Sequence, residues 1–356
     1  MGKNMPDFST ANKIEQLETV RFDLNMNPLG IPDSVQNSIL NGIDVLKNYP
    51  DTGYKKLKDS ISSYAGADPT DIVIGGSSYE FIKLLVEFVS PKKAVLISPG
   101  AQNYEKVLEM NGCDITYYTT PEEDGFELDI ADFISKLNEE TDMVIISNPN
   151  CTTSQSIDRE SIEFIAKVCK GNDIFLVVDE EYMDFARNKK NDTAIPLVSE
   201  YDNIAVLRNT SKYFAVPGLK LAYLITSNIV FKETMRITGF PYPINALAEL
   251  AGIQMFKDTI YINETDSTIE MERNLVYSAL NSRKTIKLYK PSANFILIKL
   301  LKEDISAQNV VDYCESRGLY IRNCSDIKGL DNSYIRFCFM TAKQDDLLVN
   351  TILEIV

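Results

Sequence analysis

Three short segments place residue types that can do chemistry where chain turns would expose them. In LRNTSKYFAVPGLKLAYL (207–224), Ser211 and Lys212 follow an apolar run, inside a Ser/Thr/Asn-rich loop that leads to a Pro-Gly turn. Such a lysine is either an ordinary surface cation or a nucleophile that forms a Schiff base with a carbonyl compound. In VVDEEYMDF (177–185), Asp179 ends a buried-looking run and Tyr182 stands three residues on. Asp179 either caps the next turn or holds a protonated ring nitrogen, with Tyr182 in reach of a ring oxygen. In GGSSYE (75–80), small residues open a helical pattern. That segment is either a Gly-rich turn with a serine cap or a cradle for phosphate, since a helix N-terminus offers free N–H groups to an anion. No GxxxxGK[ST] or GxGxxG motif accompanies it, so the usual ATP and dinucleotide readings lose support.

The surrounding pattern predicts what holds these segments. Strand-like runs fall at 72–74, 94–98, 114–119, 143–147, 175–179, 204–208 and 221–226, with helical patterns at 79–89, 103–112 and 159–171 between them. The last two helices should close on Gly112 and Gly171 as C-caps. Alternating apolar strands and helices predict an α/β chain with a mostly parallel sheet covered on both faces, its ligand site outside the carboxyl ends of the strands. The polar clusters lie just there. Residues 246–280 read as one long helix, and the runs at 293–300, 318–323 and 333–339, with helices near 305–317 and from 343, predict a smaller α+β domain. The expected division is an N-terminal segment 1–44 joining the small domain, a large domain 45–245, and a small C-terminal domain 246–356.

Composition narrows the chemistry. The chain has 356 residues, 36 basic and 51 acidic, a net charge of −15, which disfavours nucleic acid as a partner. It has no histidine, so a Ser-His-Asp triad, a Cys-His pair and a His-bound metal are excluded; no metal is expected. It has no tryptophan, so a stacking partner must be Tyr, Phe or smaller. The six cysteines form no CxxC pair and suit reduced thiols in a cytoplasmic protein. The segment MGKNMPDFST has no apolar stretch for a signal peptide, Pro6 stands where a myristoylation signal would want Ser or Thr, and no run reaches membrane-spanning length.

Taken in order, GGSSYE, NPNCTTS, DEEYMDF, TSK, PGLKLAY and SYIRF resemble fold-type I pyridoxal-phosphate enzymes of aminotransferase class I/II. The chain is most similar in wording to the branch that holds histidinol-phosphate aminotransferases and the threonine-phosphate decarboxylases of a cobalamin-type pathway. FDLNMNPLGIP (22–32), YPDTGYKKL (49–57), EEDGFELD (122–129), PYPINALA (241–248) and IRNCSDIKGL…YIR (321–336) extend the likeness nearly end to end and read closer to the decarboxylase. The resemblance implies an aspartate aminotransferase-like fold and pyridoxal 5'-phosphate as cofactor. By position, Lys212 matches the Schiff-base lysine and acid/base, Asp179 the partner of the pyridine nitrogen, and Tyr182 the donor to the phenolic oxygen. Ser77, Ser78, Tyr79 and Ser211 match phosphate contacts, and Tyr104 matches the ring-stacking aromatic. Tyr49 matches a residue that reaches the phosphate of a neighbouring subunit, which implies a homodimer. Arg336 matches the arginine that forks onto the substrate carboxylate. Arg322 is a second candidate for an anionic group, and Asn25 and Asn27 lie in a segment that the family folds over the substrate.

Two positions depart from the family. Where it reads Asn-Pro-Asn-Asn-Pro-Thr-Gly, this chain reads NPNCTTS, so an amide donor is replaced by Cys151, a weak donor, leaving the contact to Tyr182 or to a shifted Asn150. Lys220 stands where an arginine would grip the cofactor phosphate, keeping charge but losing the planar fork. The expected activity is transamination of the histidinol-phosphate type on a small, phosphorylated amino substrate. Threonine-phosphate decarboxylation is the alternative, and a non-catalytic cofactor-binding paralogue the third reading.

Overall fold

The structure, a computed structural model, describes residues 19–100, 102–239 and 241–356; the MGKNMPDFST segment lies outside them. Seven of the apolar runs become one sheet: β1 (Ile72–Gly75), β2 (Lys93–Ser98), β3 (Asp114–Thr119), β4 (Met143–Ser147), β5 (Phe175–Asp179), β6 (Ile204–Asn209) and β7 (Ala222–Ile225). Their order across the sheet is β1-β7-β6-β5-β4-β2-β3. The pairs β2–β3, β2–β4, β4–β5 and β5–β6 are parallel, and β7 runs antiparallel to both β6 and β1. Side-chain alternation explains why these strands read as continuous apolar runs. In β4, Val144 and Ile146 pack into one core while Met143 and Ile145 pack into another on the opposite face; β5 repeats this with Leu176 and Val178 against Phe175 and Val177. Neither face meets water, so neither needs polar residues.

A second, antiparallel sheet of β8 (Ile286–Leu288), β9 (Phe295–Leu300), β10 (Arg322–Asn323) and β11 (Tyr334–Cys338), ordered β10-β11-β9-β8, forms the α+β part. Val20–Arg21 pairs in parallel with Leu319–Tyr320 and ties the N-terminal segment to this part. Three helices matter below: α1 (Ser78–Val89), α2 (Thr259–Asn281) and α3 (Ala342–Ile355).

The expected single helix over 246–280 is two, Ala246–Met255 and α2. Asp258 accepts a hydrogen bond from Tyr261 N at 3.0 Å and caps α2, and that local cap outweighs the apolar pattern, which continues through the break. Gly112 has the positive φ of 72° expected after a helix, but Gly171 is the last helical residue and Asn172 is the cap. Among the described residues no helix is long and apolar enough to cross a membrane, and none holds a cluster of metal-ligating side chains. All six cysteines are free thiols.

Candidate active site

The carboxyl ends of β5 and β6 and the start of α1 meet at one edge of the large sheet. Asp179 is the last residue of β5, paired in register with Ser147 of β4 and Leu207 of β6. It is buried, accepts Glu181 N at Oδ1 (3.0 Å), and accepts the hydroxyl of Tyr104 at Oδ2. Burial and the neighbouring Glu181 carboxylate push Asp179 up to about 7. A carboxylate in that position gains most from a cationic N–H partner, the role expected for it. Tyr104, expected to stack, is buried and offers its hydroxyl to the same carboxylate. Tyr182 is buried, its hydroxyl accepts Asn25 Nδ2 at 3.3 Å, and its ring lies edge-on to Phe295 with centroids 5.0 Å apart.

Lys212 follows β6 by three residues, and its Nζ donates to the carbonyl of Leu24 at 2.9 Å. Asn27 N donates in turn to the Lys212 carbonyl at 3.1 Å, so the N-terminal segment is bound to the lysine loop from both sides. Asn27 itself is structural: its Nδ2 donates to the Tyr213 carbonyl (2.7 Å) and to Thr265 of α2 (2.8 Å), and its Oδ1 accepts Leu29 N. Asn25 sits at φ 54° and is buried; its Oδ1 has no hydrogen-bond partner.

At the start of α1, Ser77 is the N-cap and accepts Glu80 N (3.1 Å), while Glu80 Oε2 accepts Gly76 N (2.8 Å). This reciprocal pair is a capping box shifted by one residue, so the expected cap reading holds for Ser77. Phe81 N goes to the Ser77 carbonyl, which leaves the first-turn N–H groups of Ser78 and Tyr79 directed out of the helix end. A Cβ at Gly75 would lie 2.6 Å from Cζ of the buried Phe81 ring, so a larger residue there would have to push that ring aside. Ser211 is half-buried on the adjoining loop, Lys220 is exposed at φ 55°, and Tyr79 is 47% exposed. Tyr49 is 80% exposed and stacks on Tyr242 with ring centroids 4.9 Å apart.

On the opposite side, Arg336 of β11 donates from Nη1 to the Cys151 carbonyl at 2.6 Å, and its buried Nε has no partner. Cys151 contributes its backbone there, and burial pushes its thiol up to about 11. Asn150 does not shift in to replace the missing amide. Its Nδ2 donates to the Pro99 carbonyl and its Oδ1 accepts Thr152 N and Thr153 N, so it shapes the loop instead. Arg322 is held by Asp326, with Nη2 at 2.7 and 2.6 Å from its two oxygens.

Two groups escaped the sequence reading. Asn209, at the end of β6, bonds both Ser78 and Glu181. Arg208, one residue before, is buried between Glu180 (2.6 Å) and Asp184 (2.7 Å). The signal for the second was present: a charged residue at the end of an apolar strand, and four acids within DEEYMD.

Residues 20–352 match the sequence profile of Aminotransferase class I and II. The chain belongs to the aminotransferase class I and II family. It is 30% identical over 348 residues to the threonine-phosphate decarboxylase of Salmonella typhimurium, covering 98% of this chain and 94% of that protein. Its fold matches the histidinol-phosphate aminotransferase from Clostridium acetobutylicum with a TM-score of 0.87 at 30% identity, over 94% of this chain and 98% of that one. It also matches a Thermus thermophilus aspartate aminotransferase double mutant with a TM-score of 0.80 at 15% identity, over 96% and 93%, which shows the shared fold. The architecture is thus the aspartate aminotransferase-like α/β fold. Pyridoxal phosphate is the cofactor of this family, and the donors gathered here fit it: an amine at Lys212, a buried carboxylate suited to a cationic N–H at Asp179, and the helix end at Ser78 and Tyr79 for a phosphate.

Proposed function

We propose that the chain is a pyridoxal-phosphate transaminase of the histidinol-phosphate type, acting on a small, phosphorylated amino substrate. The observation that carries this reading is the placement of Lys212, Asp179 and Tyr182 at the ends of adjacent parallel strands, opposite an arginine whose buried Nε has no protein partner. Bound pyridoxal phosphate supplies an aldehyde for an amine and a ring that withdraws electrons from the bonds at the amine carbon. Lys212 would hold it, Asp179 would face its ring nitrogen and Tyr182 its phenolic oxygen. Ser78, Tyr79 and Ser211 would meet its phosphate, with Lys220 adding charge. Arg336 grips the carboxylate of an amino acid donor, which orients the substrate amine carbon toward Lys212. Lys212 Nζ would take the proton from that carbon as general base and, as general acid, deliver it to the cofactor carbon that had carried the aldehyde. The Asn25 amide, within reach of Tyr182, closes the site from the N-terminal segment.

A second reading, decarboxylation of threonine phosphate, draws on the 30% identity to the Salmonella decarboxylase over nearly the whole chain. Arg336 would then hold the carboxylate so that the bond to it, rather than the bond to hydrogen, is the one that breaks. We also infer a homodimer. Tyr49 is 80% exposed, and Leu40, Ile43 and Leu46, which precede it within ten residues of chain, are exposed apolar residues that a second copy could cover; Tyr49 would reach the partner's phosphate site.

The test is the product of one turnover. Holoenzyme is incubated separately with histidinol phosphate, threonine phosphate and glutamate, and the products are identified by mass spectrometry. A keto or aldehyde product that retains the substrate's carbon count supports transamination. An amine one carbon dioxide lighter than its substrate replaces that reading with decarboxylation. Turnover of histidinol and threonine as fast as their phosphates removes the phosphorylated substrate from the account.

A further inference from the structure

Asn209 is buried at the end of β6, and every hydrogen-bonding atom of its side chain has a defined partner. Oδ1 accepts Ser211 N at 3.0 Å, and Nδ2 donates to Glu181 Oε1 at 2.9 Å and to Ser78 Oγ at 3.0 Å. The amide has one workable orientation. Flipped, it would set Oδ1 against the Glu181 carboxylate and aim its N–H groups at the Ser211 N–H. Glu181 therefore acts as a lock, and its own backbone N–H is bonded to Asp179 Oδ1.

The consequence falls on Ser78. A hydroxyl has one hydrogen and two lone pairs. With one lone pair accepting from Asn209, the Ser78 O–H points away from β6, at the residue that also opens α1. Ser78 can thus present two donors, its N–H and its O–H, to one anion at the helix N-terminus. We propose that Asn209 is a positioning residue: it fixes Ser78 as a hydroxyl donor to the cofactor phosphate, and Glu181 locks the amide that does so. The network runs from the carboxylate assigned to the ring nitrogen, through Glu181 and Asn209, to the serine assigned to the phosphate.

This inference rests on the cofactor site described above, and the experiment separates the two. Cofactor-free full-length protein is titrated with pyridoxal phosphate and with pyridoxal, which lacks the phosphate. Asn209→Ala should weaken pyridoxal phosphate about tenfold, the scale of one hydrogen bond to a charged group, and leave pyridoxal within about twofold. Ser78→Ala should show the same pattern, and adding Asn209→Ala to it should cost nothing more, because the two act as one contact. Equal weakening of both ligands, or losses that multiply in the double variant, would overturn the proposal while leaving the site in place. Wild type that fails to bind pyridoxal phosphate would overturn the site itself.

Discussion

Arg336 donates from Nη1 to the carbonyl of Cys151 at 2.6 Å, so the β11 arginine is braced by the backbone of the loop that follows β4. The brace occupies Nη1, while the buried Nε has no hydrogen-bond partner. Arg336→Lys keeps the charge but cannot both meet the Cys151 carbonyl and fork onto a carboxylate. The expected result is a KM for the amino acid donor raised about 10- to 100-fold, with cofactor affinity unchanged. Steady-state kinetics beside a cofactor titration check this; loss of cofactor affinity in step with KM would place Arg336 in a different role.

Arg322 is held by Asp326, four residues on, with both carboxylate oxygens on one guanidinium nitrogen. If Arg322 serves a phosphorylated substrate, that phosphate competes with Asp326 for the guanidinium charge. Asp326→Asn weakens the competing pair and should lower KM for a phosphorylated substrate about three- to tenfold while leaving an unphosphorylated one unchanged. An equal change for both would remove Arg322 from substrate recognition.

The buried triad at the base of the site makes a stability prediction. Arg208 stands between Glu180 and Asp184, all three largely shielded from water. Arg208→Ala leaves two buried acids without a counter-charge and should cost about 3–5 kcal/mol, read from the denaturant midpoint. Removing the exposed Lys47, paired with Asp44 at 2.8 Å on the surface, should cost less than about 1 kcal/mol. Comparable losses from the two substitutions would contradict the burial argument.

Asp345 at the start of α3 sets a pH dependence. It is buried, accepts Met340 N at both oxygens, and lies beside Glu272 of α2; burial first, then Glu272, raises it from 3.8 to about 8. A carboxyl raised on folding is protonated in the folded chain while ionised in the unfolded one. Stability is therefore lost as pH rises from about 4 to about 8, and the full penalty remains above that. Asp345→Asn should raise stability at about pH 8.5 by roughly 2–4 kcal/mol relative to its effect at about pH 4. Thermal unfolding at the two pH values decides it, and a pH-independent effect would mean that Asp345 is ionised in the fold.

Much of this architecture was legible from the chain because one physical fact governs it. Strands buried on both faces must be apolar throughout, so β4 and β5 stand out as MVIIS and FLVVD, and polar residues can only begin where they end. Asp179, Tyr182 and Lys212 are visible for that reason. What joins distant segments was not visible. Asn209 meets Ser78 across 131 residues of chain, and Asn27 meets Thr265 across 238. Nothing in the local pattern of NMNPLG says that one asparagine of the pair is structural while the other keeps an unpartnered oxygen. The helix break at Asp258 was hidden because the apolar pattern continues through it, and a side-chain cap is a matter of one residue's geometry.

The central claim is that Lys212 is the amine that holds the cofactor. Borohydride reduction of the holoenzyme fixes a Schiff base as a stable secondary amine, and peptide mapping by mass spectrometry then finds the modified residue. The account predicts one pyridoxyl adduct per chain, on Lys212, absent from Lys212→Ala. An adduct on Lys220 or another lysine, or none on a protein that binds pyridoxal phosphate, would contradict it.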